Sequence, residues 1–243
     1  MSPSCEVADV AVVVPSRDEA DNVAPLVARA TESLQQLGLK WELVFVDDSD
    51  DATPDHVREA GRRHPGVRLL HRPPGARSGG LSGAVLSGFE ATSGAVVAVM
   101  DADLQHPPEL LPDLLGPVWR READITVASR FVPSGGRTGG LDGQWRRFAC
   151  QGSRSSTRVL FPRVRCVSDP LAGFFAFRRP VIDGVSLRPE GFKILLELLV
   201  RGSWNRVVEI PCVLDERQHG ESKAGFGEFV AFGRHVARLV TKH

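Results

Sequence analysis

Three valine-rich runs, each ending in an acidic or polar turn, set the tightest limit on what this chain can fold into. Asp9–Val14 (DVAVVV), Trp41–Val46 (WELVFV) and Ala95–Met100 (AVVAVM) are apolar without strict alternation and too short for helices. Runs of this kind belong to strands buried on both faces, as in parallel sheets covered by helices. Helical patterns fill the spaces between them: about Asp21 to Leu37, Pro54 to His64, a helix ending near Thr92 after the Gly/Pro-rich loop Arg72–Gly83, and Leu110 to Trp119. Val67–Leu70 and Asp124–Ala128 add two further strands. The alternation predicts an α/β fold, a mostly parallel Rossmann-like sheet with helices on both faces and right-handed crossovers.

In that topology the turns after the first, second and fourth strands share one edge of the sheet, where open α/β sheets bind ligands. The fourth strand runs into Asp101-Ala102-Asp103, and continued alternation puts both carboxylates and Gln105 on one side of the chain. Close carboxylates repel, and a divalent cation between them relieves the repulsion. An isolated Asp-x-Asp also fits a solvated, helix-capping turn. The same holds for the four acids of Asp47–Asp51, but two acidic turns converging on one edge mark a site. His106 precedes two prolines and is read as shaping the turn, with metal ligation the alternative.

At 243 residues, 42% hydrophobic and 25% charged, the chain suits one soluble domain spanning 1–243. Acidic and basic side chains both number 30, so net charge names no partner and no nucleic acid is expected. Their distribution is uneven: residues 1–60 carry 13 acids against 4 bases, and residues 133–165 carry seven arginines and one acid. The second segment reads equally as an anion-binding surface or a solvated helix face. Cys5, Cys150, Cys166 and Cys212 lie far apart, which suggests neither zinc site nor disulfide framework and points to a reducing cytoplasm. Cys166 and Cys212 are read as small core residues. No apolar run reaches the roughly 20 residues of a membrane span.

Beyond Pro133 the pattern loosens. A Gly-rich stretch to Gly143 reads as a mobile loop, followed by a helix over about Trp145–Leu160 bearing Arg146, Arg147, Arg154 and Arg158. Leu171–Phe177 reads as a strand, Gly191–Arg201 as a helix and Val207–Ile210 as a strand. The polar segment Asp215–Gly225 leads to a closing amphipathic helix over 226–240. Its stripe of Phe226, Phe229, Val230, Gly233, Val236, Ala237 and Val240 is expected to pack on its own domain, with a membrane interface as the alternative.

Seven stretches taken in order, VVVPSRDEADN (12–22), VFVDDSDDAT (44–53), GLSGAVLSGFEATSG (80–94), VMDADLQHPPEL (99–110), ASRF with its following glycines (128–136), DPLAGFFAFRR (169–179) and ERQHGESKAG (216–225), carry a resemblance. The chain resembles family 2 glycosyltransferases of the GT-A fold, and most of all the dolichol-phosphate and polyprenol-phosphate mannose synthases. The resemblance implies a nucleotide-sugar half over about 9–130 and an acceptor-binding half over about 131–225. It places Pro15, Arg17, Glu19 and Asp48 around the nucleoside. Asp101, Asp103 and Gln105 would hold Mg²⁺ or Mn²⁺ against the donor diphosphate. Arg130, Arg217, Ser222 and Lys223 would meet phosphates of donor or acceptor, and Asp169 and Glu197 would serve the sugar end. Asp18-Glu19, Leu171–Phe174 and the double proline of the Arg72–Gly83 loop depart from the family pattern and bear on donor identity.

The implied reaction is metal-dependent, inverting transfer of a hexose, with mannose from GDP-mannose favoured, to polyprenyl or dolichyl phosphate. A phosphate acceptor is already ionised near pH 7, so no dedicated base is required. The segments around Ser222-Lys223 and Gly135–Gly143 would close over the donor. The implied location is cytoplasmic, peripheral at the cytoplasmic face of a membrane, with a membrane surface or subunit as partner. Alternatives are UDP-glucose or another donor, a saccharide acceptor, or a non-catalytic nucleotide-binding module. The first strand runs into PSRDE and not a Gly-rich GxGxxG turn, which argues against a dehydrogenase.

Overall fold

The apolar runs pair as buried strands. The structure, a computed structural model, describes residues 7–132, 157–188, 193–215 and 226–241. One sheet contains β1 (Val10–Ser16), β2 (Trp41–Asp47), β3 (Val67–His71), β4 (Val96–Val99), β5 (Ile125–Ser129), β6 (Phe175–Arg178) and β7 (Val207–Pro211), in the order β3-β2-β1-β4-β6-β5-β7. β1 lies between β2 and β4 and is parallel to both, and β3 is parallel to β2. β6 runs antiparallel between β4 and β5, and β7 is parallel to β5.

The helices are α1 (Ala20–Gln35), α2 (Thr53–Arg63), α3 (Gly80–Ala91), α4 (Leu111–Trp119), α5 (Ile194–Arg201) and α6 (Phe226–Thr241). Successive strand residues supply opposite faces, which is why the valine runs are continuous. Val10, Val12 and Val14 join Phe45, Leu26 and Leu115 in one core, under α1, α2 and α4. Val13, Val44 and Val97 join Phe89, Phe177 and Leu196 in the other, under α3 and α5. Helix α3 approaches β1 closely at Gly88, where an added Cβ would lie 2.3 Å from Val13 Cγ1. Gly88→Ala is therefore expected to cost about 1–3 kcal/mol through overpacking, read as a lower denaturation midpoint in urea at unchanged slope.

Several boundaries differ from the sequence expectation. Leu171–Phe174 is a turn, and β6 begins only at Phe175. Helix α5 begins at Ile194, with Lys193 at its N-cap. In α6 the buried positions are His235 and Leu239, whereas Gly233, Ala237 and Val240 are exposed, so the stripe is rotated from the expected one. The helix does pack on its own domain, through Leu239 and Val236. Phe226, Phe229 and Val230 lie outside the described side chains. Cys212 is buried, which pushes its thiol up to about 11, but Cys166 is exposed at the end of a 3-10 turn and is not a core residue.

This topology decides what meets what. The C-terminal ends of β1, β2, β4 and β5 lie on one edge, and antiparallel β6 starts there. Arg17, Asp48, Asp101 and Arg130 thus leave the sheet on the same side on which the 169–174 turn arrives.

Candidate active site

Strand β4 ends at Val99, and residues 101–105 form a turn in which Leu104 takes a left-handed φ of 59°. The expected period-2 alternation does not continue past the strand; the turn, not the pleat, gathers the acidic residues. Asp103 Oδ1 accepts the Gln105 backbone N–H at 3.1 Å. Asp101 Oδ2 lies 3.5 Å from His106 Nδ1. Burial pushes the His106 imidazole down to about 4 against the opposing pull of Asp103, with Arg130 and Lys193 adding to the fall, so the ring is neutral near pH 7.

Gly173 closes the other side of this carboxylate. A Cβ there would lie 2.6 Å from Asp101 Oδ2 and 3.4 Å from His106 Cε1. Lys193 Nζ donates to the Leu171 carbonyl at 3.0 Å, fixing the same turn. The Gln105 carbonyl accepts the Asp215 N–H at 2.9 Å, which brings the chain to the acidic turn two residues before Arg217. Arg217, Ser222 and Lys223 themselves lie outside the described residues, as do Arg137, Arg146, Arg147 and Arg154.

Arg130 and Asp169 form a fork, Nε to Oδ2 at 2.7 Å and Nη2 to Oδ1 at 2.9 Å, with Asp169 only 1% exposed. Glu209 of β7 orients this turn by accepting the Ser168 and Asp169 N–H groups at 2.8 and 3.1 Å. Arg130 thus presents a charge whose direction is set by a buried partner. Glu197 stands apart. It is fully buried on α5, accepts the Arg188 N–H at 3.1 Å, and lies 3.4 Å from Arg201 and 3.8 Å from Arg238 of α6. Its described contacts tie α6 to the domain, not to the acidic turn.

At the end of β1, Pro15 is buried and Arg17 is exposed beside Asp18. Asp18 takes a left-handed φ of 52°, and its N–H bonds Ser49 Oγ at 2.8 Å. Glu19 accepts the Asn22 side-chain N–H at 2.5 Å. Each acid of 47–51 has a protein partner. Asp47 is buried between Ser16, Ser49 and His71. Asp48 is forked by Arg72 at 2.8 and 2.6 Å. Asp50 is paired with Arg77 at 2.8 Å, which holds its carboxyl below the usual range. Asp51 accepts the Thr53 N–H at 2.9 Å at the start of α2. Asp48 and Asp50 are thus paired with arginines of the 71–77 segment, a partnership that sequence reading missed along with Lys193, Gly173 and Glu209.

Among the described residues, no group of three or more His, Cys, Asp or Glu side chains is placed to hold a metal alone. The donor set of Asp101, Asp103 and Gln105 nonetheless fits Mg²⁺ or Mn²⁺, whose remaining oxygens come from water and substrate phosphates. A separate apolar cleft of about 420 Å³, between Phe161, Val200 and Val240, contains none of these residues. No described helix is long and apolar enough to cross a membrane.

Two carboxylates at the edge beside central β1, with a braced arginine and a lysine on the same side, mark the edge at which open α/β sheets bind ligands. Residues 11–184 match glycosyl transferase family 2, and the chain belongs to that family. It is 39% identical over 235 residues to the dolichol-phosphate mannosyltransferase of Pyrococcus furiosus, covering 95% of this chain and 63% of that relative's length. It is 33% identical over 225 residues to the dolichol-phosphate mannosyltransferase of Saccharomyces cerevisiae, covering 88% and 80%. Among solved structures it is similar to glucosyl-3-phosphoglycerate synthase from Mycobacterium tuberculosis in complex with Mn²⁺, UDP and glucosyl-3-phosphoglycerate. There the TM-score is 0.67 at 21% identity, covering 96% of this chain and 78% of that one, a shared GT-A fold.

Proposed function

We propose that the chain transfers a hexose, mannose from GDP-mannose, to a polyprenyl or dolichyl phosphate at a membrane surface. The observation that carries this is the meeting of the Asp101–Asp103 turn with the Arg130–Asp169 fork on one sheet edge. The mannosyltransferase names of the relatives support the sugar and the lipid acceptor. A divalent cation held by Asp101, Asp103 and Gln105 would neutralise the leaving diphosphate and improve it as a leaving group. Pro15, Arg17, Glu19 and Asp48 line the nucleoside side, with Asp48 held in place by Arg72. Arg130, aimed by Asp169, supplies a fixed positive charge to the acceptor phosphate, with Arg217, Ser222 and Lys223 as further phosphate contacts. Catalysis then rests on positioning and charge stabilisation, and an ionised phosphate attacks the anomeric carbon with inversion.

The test is transfer of radiolabelled sugar from GDP-mannose, and in parallel from UDP-glucose, to a short polyprenyl phosphate, with Mn²⁺ and with EDTA. Label in the lipid fraction from GDP-mannose, lost in EDTA, is the expected outcome. Label from UDP-glucose alone would reassign the donor. Bound nucleotide without transfer from either would favour a different acceptor or a non-catalytic module.

A further inference from the structure

His106 has a donor position with no evident use. Its ring is 9% exposed and packs on Phe174 at 5.4 Å between centroids, and Nδ1 has no hydrogen-bond partner among the described residues. A buried polar nitrogen left unpaired is unfavourable, so its presence calls for an explanation. Asp101 Oδ2 lies 3.5 Å from it, too long for a hydrogen bond and short enough that a small rotation of the carboxylate closes it. That same oxygen is the atom a Cβ at position 173 would strike, at 2.6 Å. One carboxylate oxygen is therefore bounded on one side by a ring nitrogen without a hydrogen-bond partner among the described residues and on the other by a residue with no side chain.

Resting on the proposed role of Asp101 as a cation ligand, we infer that His106 and Gly173 form a socket that fixes the Asp101 carboxylate for the cation, with His106 Nδ1 as the hydrogen-bond donor to Oδ2. His106 acts here as a positioning residue. Carboxylates that hold metals are themselves commonly oriented by hydrogen bonds, and loss of such a partner weakens metal binding. Phe174, fixed in the core, prevents the ring from turning away. The Gly173 wall sets the second limit, because any side chain there pushes Oδ2 out of line with Nδ1.

The experiment is titration of Mn²⁺ into the full chain with GDP present, with free Mn²⁺ read by electron paramagnetic resonance. GDP affinity without metal and transfer activity are measured alongside. His106→Leu is expected to bind Mn²⁺ about tenfold more weakly, and His106→Asn, which keeps an N–H near Nδ1, to stay within about threefold of wild type. Metal-free GDP affinity should be unchanged in both. Gly173→Ala tests the other wall independently and is expected to weaken Mn²⁺ as well. Asp101→Asn separates the two layers of the argument. If it binds Mn²⁺ as wild type does, the cation reading itself falls. If it loses Mn²⁺ while His106→Leu and Gly173→Ala bind normally, the socket alone is wrong. Equal weakening in His106→Asn and His106→Leu would assign the effect to ring packing and overturn the hydrogen bond.

Discussion

Asp103→Asn is expected to yield a folded protein that transfers sugar at below about one hundredth of the wild-type rate, the scale of removing a preorganised charge from a developing anion. Asparagine keeps the shape of the side chain and its carbonyl still accepts the Gln105 N–H, so the turn around left-handed Leu104 survives. What is lost is the negative charge that balances a cation on the donor diphosphate. Asp103→Ala should lose the same activity and a further increment of stability of about 1 kcal/mol, because the turn's hydrogen bond goes too. The contrast matters: if the two variants fall equally in activity but differ in melting temperature, the carboxylate's role is electrostatic and its carbonyl-like acceptor role is structural. Transfer at near the wild-type rate by Asp103→Asn would take the charge out of the mechanism.

The core of this molecule is legible because continuous valine runs have one economical use. DVAVVV, WELVFV and AVVAVM must be covered on both faces, and they are β1, β2 and β4. The acidic turns are legible as an edge. What the chain alone does not disclose is which charges cancel. Arg72 lies 24 residues from Asp48, and Arg77 27 from Asp50, so reading the 72–83 loop by its glycines and prolines hides two guanidiniums folded back onto the turn after β2. The Arg130–Asp169 fork, 39 residues apart, forms only because antiparallel β6 inserts between β4 and β5. LAGFFAF was read wholly as strand because a buried turn is as apolar as a strand, and the glycine in it marks the approach to Asp101. In α6 the stripe counted Gly233 and Ala237 as apolar, while the buried positions include a histidine, which hydropathy assigns to solvent. Motif membership also mixes roles. Within DPLAGFFAFRR, Asp169 and Gly173 face the site, whereas Arg178 pairs with Asp124 and Arg179 caps the end of α3 through the Phe89, Thr92 and Gly94 carbonyls.

Arg130→Ala should damage both stability and transfer, and the two effects can be separated. Asp169 is nearly fully buried, and without the guanidinium its carboxylate retains the position 130 backbone N–H at 3.3 Å. Removing one partner of a buried pair costs about 3–5 kcal/mol, most of it the cost of leaving the other charge without compensation. In urea this appears as a lower midpoint with unchanged slope. Replacing both residues with apolar ones of similar volume, Arg130→Met with Asp169→Leu, removes the stranded charge. That double variant is expected to recover most of the lost stability, as other buried pairs replaced in this way do. Transfer should not recover with it. On the proposed mechanism Asp169 aims Arg130 at a phosphate, so the double variant is a stable protein lacking a fixed positive charge where the acceptor binds. Arg130→Lys probes the same point from the other side, since lysine keeps the charge and loses the planar two-point fork. It should retain more activity than alanine and less than arginine. A double variant that regains transfer together with stability would reduce the fork to a structural clamp and leave phosphate recognition to Lys193 and to residues beyond Asp215.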